Sequence, residues 1–171
     1  MEHWDLYDRH GNPLNRTVER GHRLRTGEHH LVVHVWIVNS AGRILIQRRS
    51  PRLRLMPGVW AATGGSAVAG EDSVTAVRRE LREELSVALP PERFEFLGRL
   101  LRRNSLCDLW LVRHDVAVPD LRLQREEVAD ARWVTPDQLR RMIDDGRFHH
   151  YGAPYFRLVF EGVERSLKGT C

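Results

Sequence analysis

The chain has 171 residues, 42% of them apolar and 29% charged, which suffices for one substantial core and falls short of two. Lysine and arginine outnumber aspartate and glutamate by 27 to 23, giving a net charge of +4, but the basic residues are dispersed and form no block longer than Arg48-Arg49 or Arg102-Arg103. A polybasic tail is therefore excluded, and an acidic small molecule is a better expected partner than nucleic acid. Apolar runs stop well short of the roughly 18 residues that span a bilayer, and the N-terminus has no signal-peptide pattern, so neither a membrane nor a secreted location is expected. The two cysteines, Cys107 and Cys171, make no disulfide framework and read as reduced thiols of a cytoplasmic protein.

In chain order, residues 4–7 and 16–18 read as a short hairpin turned at residues 8–12. Residues 30–39 alternate, with His30, Val32, His34 and Trp36 on one face and Leu31, Val33, Val35 and Ile37 on the other. Ser40-Ala41-Gly42 turns that strand into another over 43–49. Met56-Pro57-Gly58 breaks the chain before 59–63, and Thr63-Gly64-Gly65 with Gly70-Glu71 reads as a glycine-rich loop leading into a helix over 73–85. Two further strands follow at 94–102 and 106–112, then a loop around Pro119 and a strand at 126–134. Thr135-Pro136 starts a helix whose buried side is Leu139, Met142 and Ile143. A last helix over 154–167 gathers Phe156, Val159, Phe160 and Val163. Strands mixed with helices, without regular βαβ alternation, predict an α+β fold in a single domain over 1–171, with 1–27 as an N-terminal hairpin extension.

The helix over 73–85 carries the chemistry. Val74, Val77, Leu81 and Leu85 form its core edge, while Glu80, Glu83 and Glu84 lie on the adjacent face at i, i+3 and i+4 and Arg78, Arg79 and Arg82 take the remainder. Like charges at these spacings each cost a bare helix about 0.2–0.5 kcal/mol, and a divalent cation reverses the sign. Three carboxylates suit a hard ion, Mg²⁺ or Mn²⁺, whereas zinc or copper would call for His or Cys. The alternative is a solvated charged helix. Glycines running straight into the helix favour a phosphate-metal site instead, because they let backbone approach a phosphate closely.

Residues 65–87 resemble the signature box of the Nudix hydrolases, G-x5-E-x7-R-E-U-x-E-E-x-G-U with U apolar. Gly65, Glu71, Arg79, Glu80, Leu81, Glu83, Glu84 and Val87 match, and Ser86 stands where the pattern has Gly. Ser86 falls at the helix end, where a left-handed residue is expected at a cost of about 1 kcal/mol for a non-glycine. The resemblance implies an α/β/α sandwich around a mixed sheet. It implies hydrolysis of a phosphoanhydride bond in a nucleoside di- or triphosphate, or in another nucleoside diphosphate linked to a group X. It further implies that Glu80, Glu83 and Glu84, with the Gly65 carbonyl, hold Mg²⁺ or Mn²⁺, that Arg79 orients those carboxylates and that Glu71 braces the loop. Family members add an acid from outside the box, for which Glu126 and Glu127 are the candidates.

Arg48, Arg49, Arg52 and Arg54 precede the box and offer forked donors for phosphate, with Gly64 and Gly65 as backbone contacts; strand alternation lets only one of Arg48 and Arg49 face the site. His29, His30 and His34 lack a third ligand at zinc spacing and read as core or edge residues. Trp36, Trp60, Trp110 and Trp133 read as core, and Cys107 has no paired histidine. The stretch from His30 to Trp60, with Pro57-Gly58-Val59-Trp60, and the opening Trp4-Asp5-Leu6-Tyr7-Asp8 are similar to the isopentenyl diphosphate isomerases. Those enzymes use a cysteine just before the box, where this chain has Gly64 and Ser66, so hydrolysis is the expected activity and isomerisation the alternative. A non-catalytic nucleotide-binding module is a second alternative, against which the retained glutamates argue. Residues 1–29 and 113–127 are the expected determinants of specificity, and the chain is expected to act as a monomer or homodimer.

Overall fold

Alternation over residues 30–38 sends two sets of apolar side chains to opposite faces of one strand, and both sets are buried. In the computed structural model, which describes residues 1–169, this strand is β3 (His30–Val38), at the centre of a seven-stranded mixed sheet. Cys171 lies outside the described residues. Before it, β1 (His3–Tyr7) and β2 (Pro13–Glu19) form a separate antiparallel ribbon. After it come β4 (Ile44–Arg49), β5 (Trp60–Ala61), β6 (Thr63–Ser66), α1 (Ser73–Leu85), β7 (Phe94–Leu101), β8 (Ser105–Arg113), β9 (Val128–Val134), α2 (Pro136–Asp144) and α3 (Ala153–Lys168). β3 runs parallel to β8 and antiparallel to β4 and β6, β4 also pairs with β5 and β9, and β7 closes on β8.

One core packs Val77, Leu81 and Leu85 of α1 on Leu31, Val33, Val35 and Ile37. The other packs Leu139 and Met142 of α2 and Tyr155, Phe156, Val159 and Val163 of α3 on Trp36, Ile44, Ile46 and Leu109. The result is an α/β/α sandwich. The first two helices have start signals that the sequence supplies: the Asp72 carboxylate accepts from the Thr75 N–H at 2.8 Å, and Thr135 and Gln138 form a reciprocal capping box with Pro136 at the first helical position. Among the described residues no helix is long and apolar enough to cross a membrane.

The glycine segment departs from expectation. Residues 63–66 form strand β6, not a loop, with Gly64 opposite His34 and Gly65 opposite Val33. The two strands β3 and β4 touch only at Ile37–Leu45 and Val38–Ile44 and then diverge, leaving a gap that residues 60–66 fill. Gly64 sits at φ +150°, and a Cβ there would strike the Val33 carbonyl oxygen, so only glycine can pair at this position. Trp60 also departs: it is half-buried, with the Arg132 guanidinium stacked 4.2 Å from its ring centroid.

At the far end of α1, Ser86 adopts φ 57°, ψ 33°, the left-handed conformation expected there, with its N–H on the Arg82 carbonyl at 2.9 Å and the Val87 N–H on the Leu81 carbonyl at 3.4 Å. Its exposed hydroxyl donates to the Arg122 carbonyl at 3.2 Å. Replacing Ser86 with Gly relieves the backbone penalty and gives up one weak surface bond; Ser86→Gly is expected to raise stability by roughly 0.5–1 kcal/mol in urea unfolding, while Ser86→Val lowers it.

Candidate active site

Divergence of β3 from β4 fixes where α1 begins and which way it faces. Because Val77, Leu81 and Leu85 are held in the core, Glu80 and Glu84 of the adjacent face are pressed toward β6, while Glu83 stays half-exposed. Glu84 is only 1% exposed and Glu80 8%. The Gly65 backbone is what makes room, since a Cβ at that position would overlap the Glu80 carboxylate.

Arg79 is the cation of this cluster. Its Nε and Nη2 donate to the two oxygens of Glu71 at 2.8 and 3.0 Å, its Nη1 donates to Glu80 at 2.9 Å and Glu83 at 3.0 Å, and Nη2 also reaches the Ser66 carbonyl at 3.1 Å. A bidentate fork of this kind fixes geometry as well as charge. Glu71 joins the Val68 N–H to Arg79: burial raises its pKa, but bonds from Arg79 and from the Val68 N–H outweigh burial and leave it lowered.

Among the described residues Glu84 has no ion pair. Its Oε2 accepts from the Gln47 amide at 3.0 Å and from the Gly64 N–H at 3.2 Å, and Gln47 is held in turn by the Thr63 hydroxyl at 3.2 Å. Burial, reinforced by the charge of Glu80, pushes the Glu84 carboxyl up to about 8. Burial also pushes Glu80 up to about 7, outweighing Arg79. Glu127, half-buried where Glu126 is exposed, lies near enough for its charge to raise both acids. Its segment is tied to α1 by a main-chain bond from the Gln124 N–H to the Glu84 carbonyl at 3.0 Å.

Three glutamates thus share one arginine, a fourth accepts only from neutral donors, and two of the four are buried where the ionised form is disfavoured. Among the described residues no three metal-ligating side chains already stand close enough to enclose an ion. The donor set nevertheless fits a hard divalent cation: it is all oxygen, negatively charged, largely desolvated and short of positive charge. Gln47 is a site residue that the sequence reading passed over, although an amide inside the run Ile44-Leu45-Ile46-Gln47 is a signal, because a buried polar side chain needs a partner.

The remaining candidates separate. Arg48 is exposed, its Nε on the Gly58 carbonyl at 3.0 Å, whereas Arg49 is half-buried, and its charge acts on His34, His149 and Tyr151. Arg52 and Arg54 are exposed. His34 is buried, bonded to the Tyr155 hydroxyl at 2.7 Å, and burial holds its pKa down to about 3; His30 stacks on Trp4 with centroids 3.9 Å apart. Neither belongs to a metal-binding group. Cys107 is buried, and burial pushes its thiol up to about 11, which leaves it unsuited to act as a nucleophile.

Comparison with known proteins identifies the family. The family model described as the NUDIX domain matches residues 28–154. An uncharacterised Nudix hydrolase of Listeria monocytogenes is 40% identical over 161 residues, covering 92% of each chain. Nudix hydrolase 3 of Arabidopsis thaliana is 32% identical over 83% of this chain and 20% of its own length. Among solved structures, a Deinococcus radiodurans protein superposes with a TM-score of 0.74 at 26% identity, over 96% of this chain and 98% of its own. The Nudix domain of Shewanella oneidensis NrtR, crystallised with ADP-ribose, shares the fold at a TM-score of 0.55 and 18% identity, over 74% and 82%. With its box laid along β6 and α1 and relatives matched over nearly its whole length, the chain belongs to the Nudix hydrolase family.

Proposed function

We propose that this protein hydrolyses a phosphoanhydride bond of a nucleoside diphosphate linked to a further group, using Mg²⁺ or Mn²⁺ held by Glu80, Glu83 and Glu84 with the Gly65 carbonyl. The observation that carries the reading is the burial of Glu80 and Glu84 beside Glu127 with too little positive charge to balance them. When bound, a divalent cation supplies neutralisation of phosphoryl charge and a more acidic water. The residues have separate tasks. Arg79 holds Glu80 and Glu83 in position and ties them to the loop through Glu71 and Ser66. Gln47 and the Gly64 N–H fix the Glu84 carboxylate. Glu127 stands at the same cluster as a proton acceptor for the attacking water, a role Glu126 does not share. Gly64 and Gly65 serve the acids and not a phosphate, because the space of their missing side chains is taken by the Val33 carbonyl and the Glu80 carboxylate and the Gly64 N–H by Glu84. Isomerisation of a prenyl diphosphate lacks its acid here, with Gly64 and Ser66 in place of cysteine.

Incubation with Mg²⁺ and a panel of nucleoside di- and triphosphates, nucleotide sugars, ADP-ribose, dinucleotides and isopentenyl diphosphate is expected to yield phosphate-containing hydrolysis products from at least one nucleotide. Migration of the double bond in isopentenyl diphosphate, or no turnover of any compound, would count against the reading. Glu84→Gln and Glu83→Gln are each expected to lower kcat about 100-fold or more, equivalent to roughly 2.7 kcal/mol. Full activity in either variant would remove that residue from the assignment.

Stability should follow the same carboxylates. Both Glu80 and Glu84 have folded-state pKa values raised above the unfolded carboxylate value, so the native protein binds more protons than the unfolded chain between those limits. The stability they contribute is complete below about pH 4.5 and is lost as pH rises through about 7 and 8, at about 1.4 kcal/mol per pH unit for each group while it titrates. In EDTA the melting temperature is therefore expected to fall between pH 5 and 8. Glu84→Gln should flatten that fall, and Mg²⁺ should raise the melting temperature more at pH 8 than at pH 5.5. A flat profile in EDTA would contradict the burial of these two charges.

A further inference from the structure

Most of the half-buried arginines close to the core have an acceptor: Arg79 has its glutamates, Arg99 has Asp108, Arg78 has the Leu89 carbonyl. Arg102 does not. It lies in the turn between β7 and β8, half-buried, with its guanidinium carbon 5.6 Å from the Tyr151 ring centroid and 5.7 Å from that of Tyr155. Its Nη2 is buried without a hydrogen-bond partner, and its side chain has no ion pair among the described residues. The tyrosine hydroxyls make no bond to it: that of Tyr155 is engaged by His34 and Trp36, and that of Tyr151 accepts from the Ala62 N–H at 3.3 Å. Aromatic faces compensate a cation only in part, and an unmade charged hydrogen bond is costly to bury.

The surroundings of Arg102 are cationic. Arg49 lies close enough for its charge, with that of Arg102, to act on His34, and His149, whose pKa is lowered by burial and by the Arg102 charge, meets the Tyr151 ring edge-on at 4.5 Å. This basic, aromatic recess also adjoins the acids. Tyr151 is bonded to Ala62, and two residues further along the same extended segment Gly64 donates to Glu84, a step of roughly 7 Å. An acidic cluster and a basic one are therefore set side by side along one backbone, a spacing on the scale of a phosphate chain.

We infer that Arg102, flanked by Arg49 and His149, is a phosphate-binding residue that receives a phosphoryl group of the substrate remote from the acids of α1. The inference rests on the hydrolase reading for the word substrate, but its binding test does not. With EDTA present the α1 acids repel anions, so binding of inorganic pyrophosphate reports on the basic recess alone. Isothermal titration calorimetry at fixed ionic strength is expected to show pyrophosphate binding by the wild-type protein, weakened at least tenfold in Arg102→Met, partly retained in Arg102→Lys and unchanged in Arg157→Met, an exposed control. Because Arg102 has no acceptor in the fold, Arg102→Met should melt at the same temperature as wild type or higher. Equal binding by wild type and Arg102→Met, no binding by wild type, or a melting temperature lowered by several degrees in Arg102→Met would each overturn the inference. With any nucleotide that is turned over, Arg102→Met should raise KM by more than it lowers kcat. A protein that binds pyrophosphate through Arg102 and turns over no nucleotide would refute hydrolysis while leaving the recess assigned.

Discussion

The contact on which the rest of the site depends is the bare approach of α1 to β6. Nothing but backbone separates the helix face from the strand at Gly65, since a methyl there would meet the Glu80 carboxylate, while at Gly64 a methyl would meet the Val33 carbonyl of β3. Given that approach, Glu84 can accept from a strand N–H and Glu80 can lie against the chain, both out of water. The approach is itself a product of the sheet, because β3 and β4 part after two paired residues and the segment 60–66 must occupy the gap. Topology places the acids, and glycine permits the placement.

Charge is unevenly distributed around that contact. Arg79 satisfies Glu71 with two bonds and gives one each to Glu80 and Glu83, and none to Glu84. A site built for stability alone would replace such buried acids by apolar groups or pair them fully. Here the imbalance persists and is largest for the most buried acid, Glu84, which depends on the neutral donors Gln47 and Gly64. The deficit is what a bound cation would correct, so in the proposed function affinity for the ion and instability without it would be two aspects of one arrangement.

Much of this was legible in the sequence, and the limits have physical causes. The bounds of α1 follow from an apolar stripe thirteen residues long with Asp72 before it and Ser86 after it, all local information. β6 was not legible as a strand, because Thr63-Gly64-Gly65-Ser66 has poor strand propensity and is extended only by pairing to β3. That Glu127 is more buried than Glu126, and Arg49 than Arg48, depends on which side of a bulged strand entry each side chain takes, which spacing does not settle. Arg102 was hidden for a different reason. Its lack of an acceptor becomes visible only when residues 149–155, far along the chain, are folded against it.

The main-chain bond from the Gln124 N–H to the Glu84 carbonyl, together with the Ser86 hydroxyl on the Arg122 carbonyl, fastens the segment before β9 to the last turn of α1. Glu127 is thereby positioned by the helix that carries Glu84, and not by the free path of a loop. The connection from β8 to β9 consequently has two regimes of evolutionary freedom. Residues 114–121 can lengthen or shorten with little effect on the acids, while an insertion between 124 and 127 would change the number of carboxylates meeting at one point.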